Sequence, residues 1–317
     1  MRVAGIDCGT NSIRLLISDV EGGSVGGGSV GAGSVGAGKV DVHREMRIVR
    51  LGQGVDRTGE LAPEALERTR EALASYAATV RALGVERIRM VATSATRDAR
   101  NRGDFVDLVV DALGIKPEVV TGDEEAALSF DGATRGLDPD DGPFLVVDIG
   151  GGSTEIVLGT RSVEAARSVD VGCVRLTERH LHSDPPTQQE ISAAEADIDA
   201  GLALVRELVP VERARTSVWL AGSATTVAAA CLELPRYDPD AVHLAVLEAA
   251  AARAACDRLI AMTRAERAAL PFLHPGRVDV IGAGALVLRT LVDRMGVEAL
   301  VISEADILDG IVWSAAH

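Results

Sequence analysis

The residues with the clearest potential for chemistry lie at positions 146–155, which read Val-Val-Asp-Ile-Gly-Gly-Gly-Ser-Thr-Glu. The apolar run before them predicts a buried strand, and the three glycines predict a turn whose backbone can approach a ligand closely. Unpaired N–H groups in such a turn bind anions, phosphate above all. Asp148 and Glu155 place two carboxylates beside the turn, and these repel phosphate unless a divalent cation lies between them. The stretch therefore predicts a site for metal and phosphate.

A second turn of the same kind lies near the N-terminus. Residues 4–15 again comprise an apolar strand that ends in an acidic residue, Asp7, followed by a Gly/Thr/Ser turn and a second strand. An isolated triple glycine is more often a flexible turn without a ligand, and the second copy is what favours a functional interpretation. Two such hairpins, one opening each half of the chain, predict two like domains that face one phosphate-bearing ligand.

Composition and charge limit the classes of protein to which the chain can belong. The chain has 317 residues, enough for two domains, and 47% of them are hydrophobic but only 3% aromatic, so aliphatic side chains must fill the cores. No apolar run reaches the roughly 18–20 residues that span a bilayer and no signal peptide opens the chain, so we expect a cytoplasmic protein without a membrane partner. A formal charge of −15 argues against a nucleic-acid partner. The cysteines have neither zinc nor disulfide spacing: Cys8, Cys173, Cys231 and Cys256.

Each half as a whole is predicted to contain three strands, two of them in the hairpin, followed by a helix, a strand, a helix and a strand. Apolar residues three or four apart predict helices at residues 63–84, about 244–262, about 278–295 and 306–313. Strand-to-helix turns rich in small or polar residues lie at positions 93–101, 121–127 and 222–226. Ligands bind at such turns in α/β sheets. Arg97 lies near a helix start, where a cation is disfavoured, and is therefore predicted to face an anion.

Residues 22–39 form a near-repeat of Gly-Ser-Val-Gly units. Such sequence cannot bury enough side chain to order itself, and it lacks the Lys-Ser/Thr ending of a phosphate-binding P-loop. We interpret it as the expanded tip of a hairpin, without a catalytic role.

The strand order and the motifs together resemble one protein family. The order is that of the actin/sugar-kinase/Hsp70 superfamily, and the motifs are similar to those of the exopolyphosphatase and guanosine pentaphosphate phosphatase (Ppx/GppA) family within it. The motifs that carry this resemblance are residues 6–12, 93–97, 122–126, 148–155, 172–178 and 303–310. Residues 22–39 differ from the family as an insertion, and residues 221–226 differ slightly, because the family more often has Ala-Gly-Thr there.

The resemblance implies an α/β fold of two RNase H-like domains, as in the actin/sugar-kinase/Hsp70 superfamily, with a cleft between them. It places the N-terminal domain at residues 1–128 and the C-terminal domain at residues 129–303, with residues 304–317 packing back on the first domain. A homodimer is common in the family and is expected here by the same analogy.

The resemblance also implies the residues of an active site in that cleft. Phosphate would be bound by Asp7, Gly9, Thr10, Asn11, Ser12, Arg14, Arg97, Gly150, Gly151, Gly152, Ser153 and Thr154. Asp148 and Glu155 would place Mg²⁺. The catalytic glutamate of the family corresponds to Glu125 rather than to Glu124, and it would act as the general base on an attacking water.

The activity implied is that of an exopolyphosphatase, which releases the terminal orthophosphate from inorganic polyphosphate. We expect a preference for short chains, because no long C-terminal extension follows residue 317. Guanosine pentaphosphate is the alternative substrate; a sugar- or acetate-type kinase and a non-catalytic polyphosphate or alarmone sensor are further alternatives. Arg175 and Arg179 either line the path of a polyanion or are exposed helix residues, and the sequence does not decide between these.

Overall fold

The computed structural model describes residues 1–21 and 38–316, so most of the predicted hairpin tip at residues 22–39 lies outside the described residues. A five-stranded sheet forms the first half, with the order β3-β2-β1-β4-β5. Its strands are β1 (Arg2–Cys8), β2 (Ser12–Val20), β3 (Lys39–Ile48), β4 (Arg87–Ala92) and β5 (Glu118–Val119). The first three strands pair antiparallel, and β4 and β5 run parallel to β1.

A six-stranded sheet forms the second half, with the order β10-β11-β9-β6-β7-β8. Its strands are β6 (Phe144–Ile149), β7 (Thr154–Gly159), β8 (Val163–Val169), β9 (Thr216–Leu220), β10 (Val246–Glu248) and β11 (Ala299–Ile302). The order β8-β7-β6-β9-β11 repeats the order of the first sheet. This repetition confirms the predicted fold class of two like α/β domains.

Helices cover the faces of the two sheets. Those of the first half are α1 (Val55–Thr58), α2 (Pro63–Ala82), α3 (Ser94–Asp98), α4 (Arg102–Leu113) and α5 (Gly122–Thr134). Those of the second half are α6 (Cys173–His180), α7 (Gln188–Arg206), α8 (Ala221–Cys231), α9 (Pro239–Val242), α10 (Ala249–Ala261), α11 (Arg264–Ala268), α12 (Ile281–Met295) and α13 (Ile307–Ala315). No helix in the described part of the chain is both long and apolar enough to cross a bilayer.

The longest helix of the first half shows how local signals build the fold. Pro63 occupies the first helical position of α2, where its missing N–H costs nothing. Of the residues three or four apart that the pattern predicted, those in the middle, among them Leu73 and Tyr76, are buried against the sheet, and Leu66 and Leu83 are partly buried. The Tyr76 hydroxyl donates a hydrogen bond to the carbonyl of Ile13 at 2.9 Å. The helix therefore packs on β2, directly behind the N-terminal turn.

The predicted helix at residues 244–262 is wrong in its first residues, which form β10 instead. Leu244 has a φ of 60°, which no α-helix accommodates. Its amide donates to the carbonyl of Ile302 at 2.7 Å, and the Ile302 amide donates to the carbonyl of Ala245 at 2.9 Å. Pairing with β11 thus overrides the local preference, and α10 begins only at Ala249.

Helices α5 and α13 connect the two halves. Leu308, Val312 and Trp313 of α13 pack on the first sheet, in a cluster with residues of β1 and β2. Phe130 and its neighbours on α5 pack instead on the second sheet. The two helices cross closely at Gly132 and Gly310. The helix that follows residue 304 therefore lies on the first sheet, while the domain boundaries at residues 128 and 303 stay a prediction.

The helix crossing yields a prediction about stability. A Cβ at Gly132 would overlap the carbonyl oxygen of Asp306 and lie 2.9 Å from the amide nitrogen of Gly310. We expect Gly132→Ala to lower the free energy of unfolding by about 3 kcal/mol, because backbone cannot move aside as a flexible side chain can. Gly103→Ala in α4 is the control: a Cβ there meets nothing within 4 Å, so the free energy of unfolding should rise by about 0.5–1 kcal/mol. Urea denaturation of both variants measures this; equal stability of the two would contradict the close crossing.

Candidate active site

A cleft between the two sheets contains most of the predicted site residues. It lies at the carboxyl ends of β1, β4, β6 and β9, where each strand leads into a turn or a helix. The predicted residues that line it are Asp7, Gly9, Thr10, Asn11, Ser12, Arg14, Glu125, Asp148, Gly150, Gly151, Gly152 and Ser153. Arg97, Thr154 and Glu155 are not part of this lining.

The carbonyls of the triple-glycine turn are bound on its side away from the cleft. The first amides of α6 donate to the carbonyls of Gly150 and Gly151 at 2.8–3.1 Å. The Arg175 side chain donates to the carbonyl of Gly152 at 2.7 Å. The amides of residues 151–153 have no backbone acceptor in the described part of the chain. They are therefore available to an anion in the cleft.

The N-terminal turn has the same arrangement. The Thr10 carbonyl accepts a hydrogen bond from the amide of Gly52 at 2.8 Å, and the Asn11 carbonyl accepts from the amides of Val49 and Arg50 at 3.1 and 2.8 Å. Within residues 1–21 and 38–316, the amides of Thr10 and Asn11 have no backbone acceptor either. Each turn therefore offers N–H groups, and not carbonyls, to the cleft.

The two turns face each other at van der Waals distance. A Cβ built on Gly151 would lie 2.8 Å from the Cβ of Thr10, and one on Gly152 would lie 2.7 Å from the Thr10 hydroxyl and would overlap the hydroxyl of Ser94. Glycine is required at these positions because the opposite turn occupies the space of a side chain. The gap between the turns is thus set by contact of the Thr10 and Ser94 side chains with the glycine backbone.

This contact yields a prediction about activity. Gly152→Ala should push the two turns apart and lower kcat/KM for phosphate release by about tenfold to a hundredfold, the usual consequence of misplacing reacting groups by about 1 Å. Gly136→Ala is the matched control, because a Cβ at that position meets nothing within 4 Å. Steady-state kinetics on both variants test this, and full activity of Gly152→Ala would show that the gap between the turns has no influence.

Glu125 lies in the first turn of α5 and reaches the cleft with only 7% of its surface exposed. Its Oε2 accepts a hydrogen bond from Arg97 Nη1 at 2.9 Å, so the anion that Arg97 faces is a carboxylate of the protein itself. Burial raises the pKa of Glu125 to about 7, although Arg97 acts in the opposite direction. Glu124 points elsewhere: its carboxylate accepts from the amide and the hydroxyl of Thr121 in a capping box.

Two further carboxylates lie beside the triple-glycine turn. Asp148 Oδ2 accepts a hydrogen bond from the Ser129 hydroxyl at 2.7 Å, and Glu155 Oε1 accepts from the Ser168 hydroxyl at 2.7 Å. Burial raises the pKa of Asp148, and it raises the pKa of Glu155 well above the usual range, with nearby negative charges adding to both. Both carboxylates therefore lie in a buried environment in which other carboxylates disfavour their charged form.

Asp7 and Arg14 link the N-terminal turn to the C-terminal helix. Arg14 Nη2 donates to Asp7 Oδ2 at 2.6 Å, and Arg14 Nη1 pairs with Asp306, the N-cap residue of α13. Asp7 Oδ1 is buried and has no hydrogen-bond partner in the described residues. Such an orphaned carboxylate oxygen is costly unless something in the cleft binds it.

The carboxylate oxygens of the cleft are suitable ligands for Mg²⁺. The acidic groups of the cleft offer oxygen only, which suits a hard cation, and one of these oxygens, Oδ1 of Asp7, has no hydrogen-bond partner in the described residues. Residues 1–21 and 38–316 contain no group of three or more His, Cys, Asp or Glu placed to hold a metal. The protein would therefore supply few ligands, and phosphate and water would supply the rest, as is usual for Mg²⁺.

Sequence reasoning missed Arg277. It follows His-Pro-Gly in a short turn before α12, lines the cleft, and donates to the Gly222 carbonyl at 3.1 Å and to Met46 Sδ at 3.5 Å. Unlike Arg14 and Arg97, it forms no ion pair within the described part of the chain. Beside it the N-terminus of α8 enters the cleft with Gly222 and Ser223, without a side-chain cap. Of Arg277 and the start of α8, only the latter was predicted from the sequence, as the turn at residues 222–226.

The remaining predicted residues have protein partners. The Thr154 hydroxyl donates to the carbonyl of Val171 at 2.6 Å, inside the second domain. Arg175 pairs with Asp56 and Asp98, and Arg179 pairs with Asp56 and Asp197. The two arginines that the sequence left open are thus engaged by carboxylates. The phosphate role of Thr154 stays a prediction.

Comparison with known proteins identifies the family of this chain. The sequence profile of the Ppx/GppA phosphatase family matches residues 33–317. Exopolyphosphatase 2 of Mycobacterium tuberculosis H37Rv is 53% identical, over 99% of this chain and 98% of that protein. A solved exopolyphosphatase-like protein superposes with a TM-score of 0.92 at 42% identity, covering 100% of this chain and 99% of the other. The Aquifex aeolicus Ppx/GppA family member has a TM-score of 0.79 at 31% identity, with 99% and 97% covered. The chain belongs to the Ppx/GppA phosphatase family.

Proposed function

We propose that this hydrolase releases terminal orthophosphate from inorganic polyphosphate. The observation that carries the proposal is the pair of facing turns, because their free amides can surround a terminal phosphoryl group from two sides. Hydrolysis of a phosphoanhydride needs that group's charge stabilised and a water placed opposite the leaving oxygen. The relative that is 53% identical is named as an exopolyphosphatase, which supports the same substrate.

Glu125 is the proposed general base. It lies in the cleft with both turns, and its raised pKa near neutrality suits a group that must accept a proton from water at neutral pH. Arg97 orients its carboxylate through the hydrogen bond to Oε2. Asp148 and Asp7 are the residues proposed to hold Mg²⁺, which would supply positive charge to neutralise phosphate oxygens. Glu155 does not line the cleft, and its metal role stays a prediction. Attack at the last phosphorus yields one orthophosphate and a chain shorter by one unit.

Arg277 and the start of α8 are proposed to bind the next phosphates of the chain. The Arg277 guanidinium is the cleft cation that pairs with no carboxylate in the described residues, and the uncapped amides of α8 also attract anions. Burial lowers the pKa of Arg277, and its neighbours Tyr237 and Glu304 offset this only in part. A bound polyanion would supply further negative charge.

Guanosine pentaphosphate is the second candidate substrate, because a groove continues from the cleft past Arg277. The groove has a volume of about 430 Å³, and its walls include the apolar side chains of Met46, Phe272 and Leu273. Its polar end holds Glu304, which accepts a hydrogen bond from the Tyr237 hydroxyl. An apolar wall beside polar acceptors suits a nucleoside better than it suits polyphosphate.

Orthophosphate release by purified protein with Mg²⁺ tests both candidates. Tripolyphosphate, polyphosphate chains of increasing length and guanosine pentaphosphate are compared, with Arg277→Gln alongside. We expect release from polyphosphate, greatest with short chains, and a KM for polyphosphate raised about tenfold by Arg277→Gln, because a charged hydrogen bond is lost. Release from guanosine pentaphosphate alone would make it the substrate, and no release from any compound would refute the proposal.

A further inference from the structure

The motif at residues 172–178 has no part in the proposed chemistry, yet it contacts both the triple-glycine turn and the first domain. Gly172 approaches the triple-glycine turn so closely that a Cβ there would overlap the Gly151 carbonyl. Glu178 accepts a hydrogen bond from the Gly54 amide of the first domain at 3.0 Å. Between them, Arg175 extends from α6 into the contact between the domains. The motif therefore joins the two halves of the site.

All three guanidinium nitrogens of Arg175 donate hydrogen bonds. Nε donates to the Gly152 carbonyl at 2.7 Å, Nη1 to Asp56 at 2.6 Å, and Nη2 to Asp98 at 2.6 Å and to the Ser94 hydroxyl at 3.3 Å. Only 11% of the side chain is exposed. One planar group thus connects the glycine turn of the second domain to two elements, α1 and α3, of the first.

The contact with Gly152 bears directly on the cleft. A carbonyl and the following amide belong to one rigid peptide plane, so holding the Gly152 carbonyl toward Arg175 holds the Ser153 amide in a fixed direction. Ser94, the other partner in this contact, lines the cleft opposite Gly152. Arg175 therefore contacts groups that bear on two quantities: the direction of the Ser153 amide and the distance of the triple-glycine turn from the first domain.

We propose that Arg175 is a positioning residue, which aims the amides of the triple-glycine turn and sets their distance from the first domain. The inference rests on the proposed function, because it assumes that the turns hold a terminal phosphate. The competing explanation is an interdomain ion pair with no influence on the turns.

Arg179 offers a matched control within the same helix. It makes the same kind of interdomain pair, with its Nη2 2.8 Å from Asp56, and also pairs with Asp197, but it touches neither turn. Replacing Arg179 removes an interdomain ion pair but keeps the hydrogen bond from Arg175 to the Gly152 carbonyl. Arg175→Lys is the complementary variant: lysine keeps a positive charge near Asp56 and Asp98 but cannot form the planar fork that also holds Gly152.

The experiment compares wild type, Arg175→Lys, Arg175→Gln and Arg179→Gln. We expect kcat to fall about tenfold to a hundredfold in both Arg175 variants, with a smaller change in KM, because misdirected amides lose more in the transition state than in the ground state. The melting temperature of Arg175→Lys should stay close to that of wild type. Arg179→Gln should keep kcat within about twofold of wild type, since an exposed ion pair has little energetic weight.

A binding measurement separates this proposal from the proposed function. Titration calorimetry with tripolyphosphate and Mg²⁺ is done in a Glu125→Gln background, in which turnover is expected to be slow. Arg175→Lys should weaken binding about tenfold in this background, because the hydrogen bond from the Ser153 amide to a charged phosphate is misdirected, and Arg179→Gln should not. Equal binding or equal kcat for Arg175→Lys and Arg179→Gln would overturn the positioning role. Weaker binding by Arg175→Lys in a protein that hydrolyses no polyphosphate would support the positioning role and refute only the proposed activity.

Discussion

Glu125→Gln is expected to lower kcat for phosphate release by a factor on the order of 10²–10⁴, the usual contribution of a positioned general base. The substitution keeps the shape of the side chain and an oxygen for the hydrogen bond from Arg97, so the two turns should stay in place. What it removes is the ability to accept a proton. Tripolyphosphate should still bind, so the loss should appear in kcat far more than in KM.

The neighbouring glutamate provides an unusually close control. Glu124 occupies the preceding position of the same helix, is exposed, and caps the helix through Thr121. Glutamine serves in a capping box as glutamate does, so Glu124→Gln should keep both stability and activity. A Glu125→Gln enzyme with full phosphate release, or a Glu124→Gln enzyme as impaired as Glu125→Gln, would show that the base has been misassigned.

The sequence alone predicted those parts of the site that are formed by residues close to one another in the chain. In each half, an apolar strand, an acidic residue and a glycine turn follow one another within a dozen residues. Such a unit forms the same hairpin wherever it lies, so Asp148 and the glycine turn could be placed from their neighbours alone. Because the unit occurs twice, the two-domain fold and the cleft could also be predicted.

The parts that escaped prediction depend on distant contacts. Arg277 reaches the cleft only because α12 follows it and because Gly222 lies beside it, and nothing near residue 277 in the sequence indicates this. Arg175 was noticed, but its partners Asp56 and Asp98 are more than seventy residues away in the chain. Likewise β10 exists only through its pairing with β11. A pattern of residue types cannot show which charges will meet.

Asp148→Asn is expected to raise the Mg²⁺ concentration needed for half-maximal activity about tenfold to a hundredfold, the scale seen when support of a metal site is lost. Asparagine can still accept the hydrogen bond from Ser129, so the strand end should keep its position. The negative charge that would attract the cation is gone. Mg²⁺ titration of the activity after treatment with EDTA measures the shift, and Mn²⁺ binding followed by electron paramagnetic resonance measures it without turnover.

The same substitution should raise the stability of the metal-free protein, although it weakens Mg²⁺ binding. A buried carboxylate without a cation is costly, so Asp148→Asn should melt at a higher temperature than wild type in EDTA. Wild type should then gain more stability than the variant when Mg²⁺ is added, because the cation binds only the folded site. Asp131→Asn, which removes an exposed carboxylate of α5 paired with Arg135, is the control for the change in net charge. If the two variants gave the same Mg²⁺ response, Asp148 would hold no metal, and its burial would have to be explained by the Ser129 hydrogen bond alone.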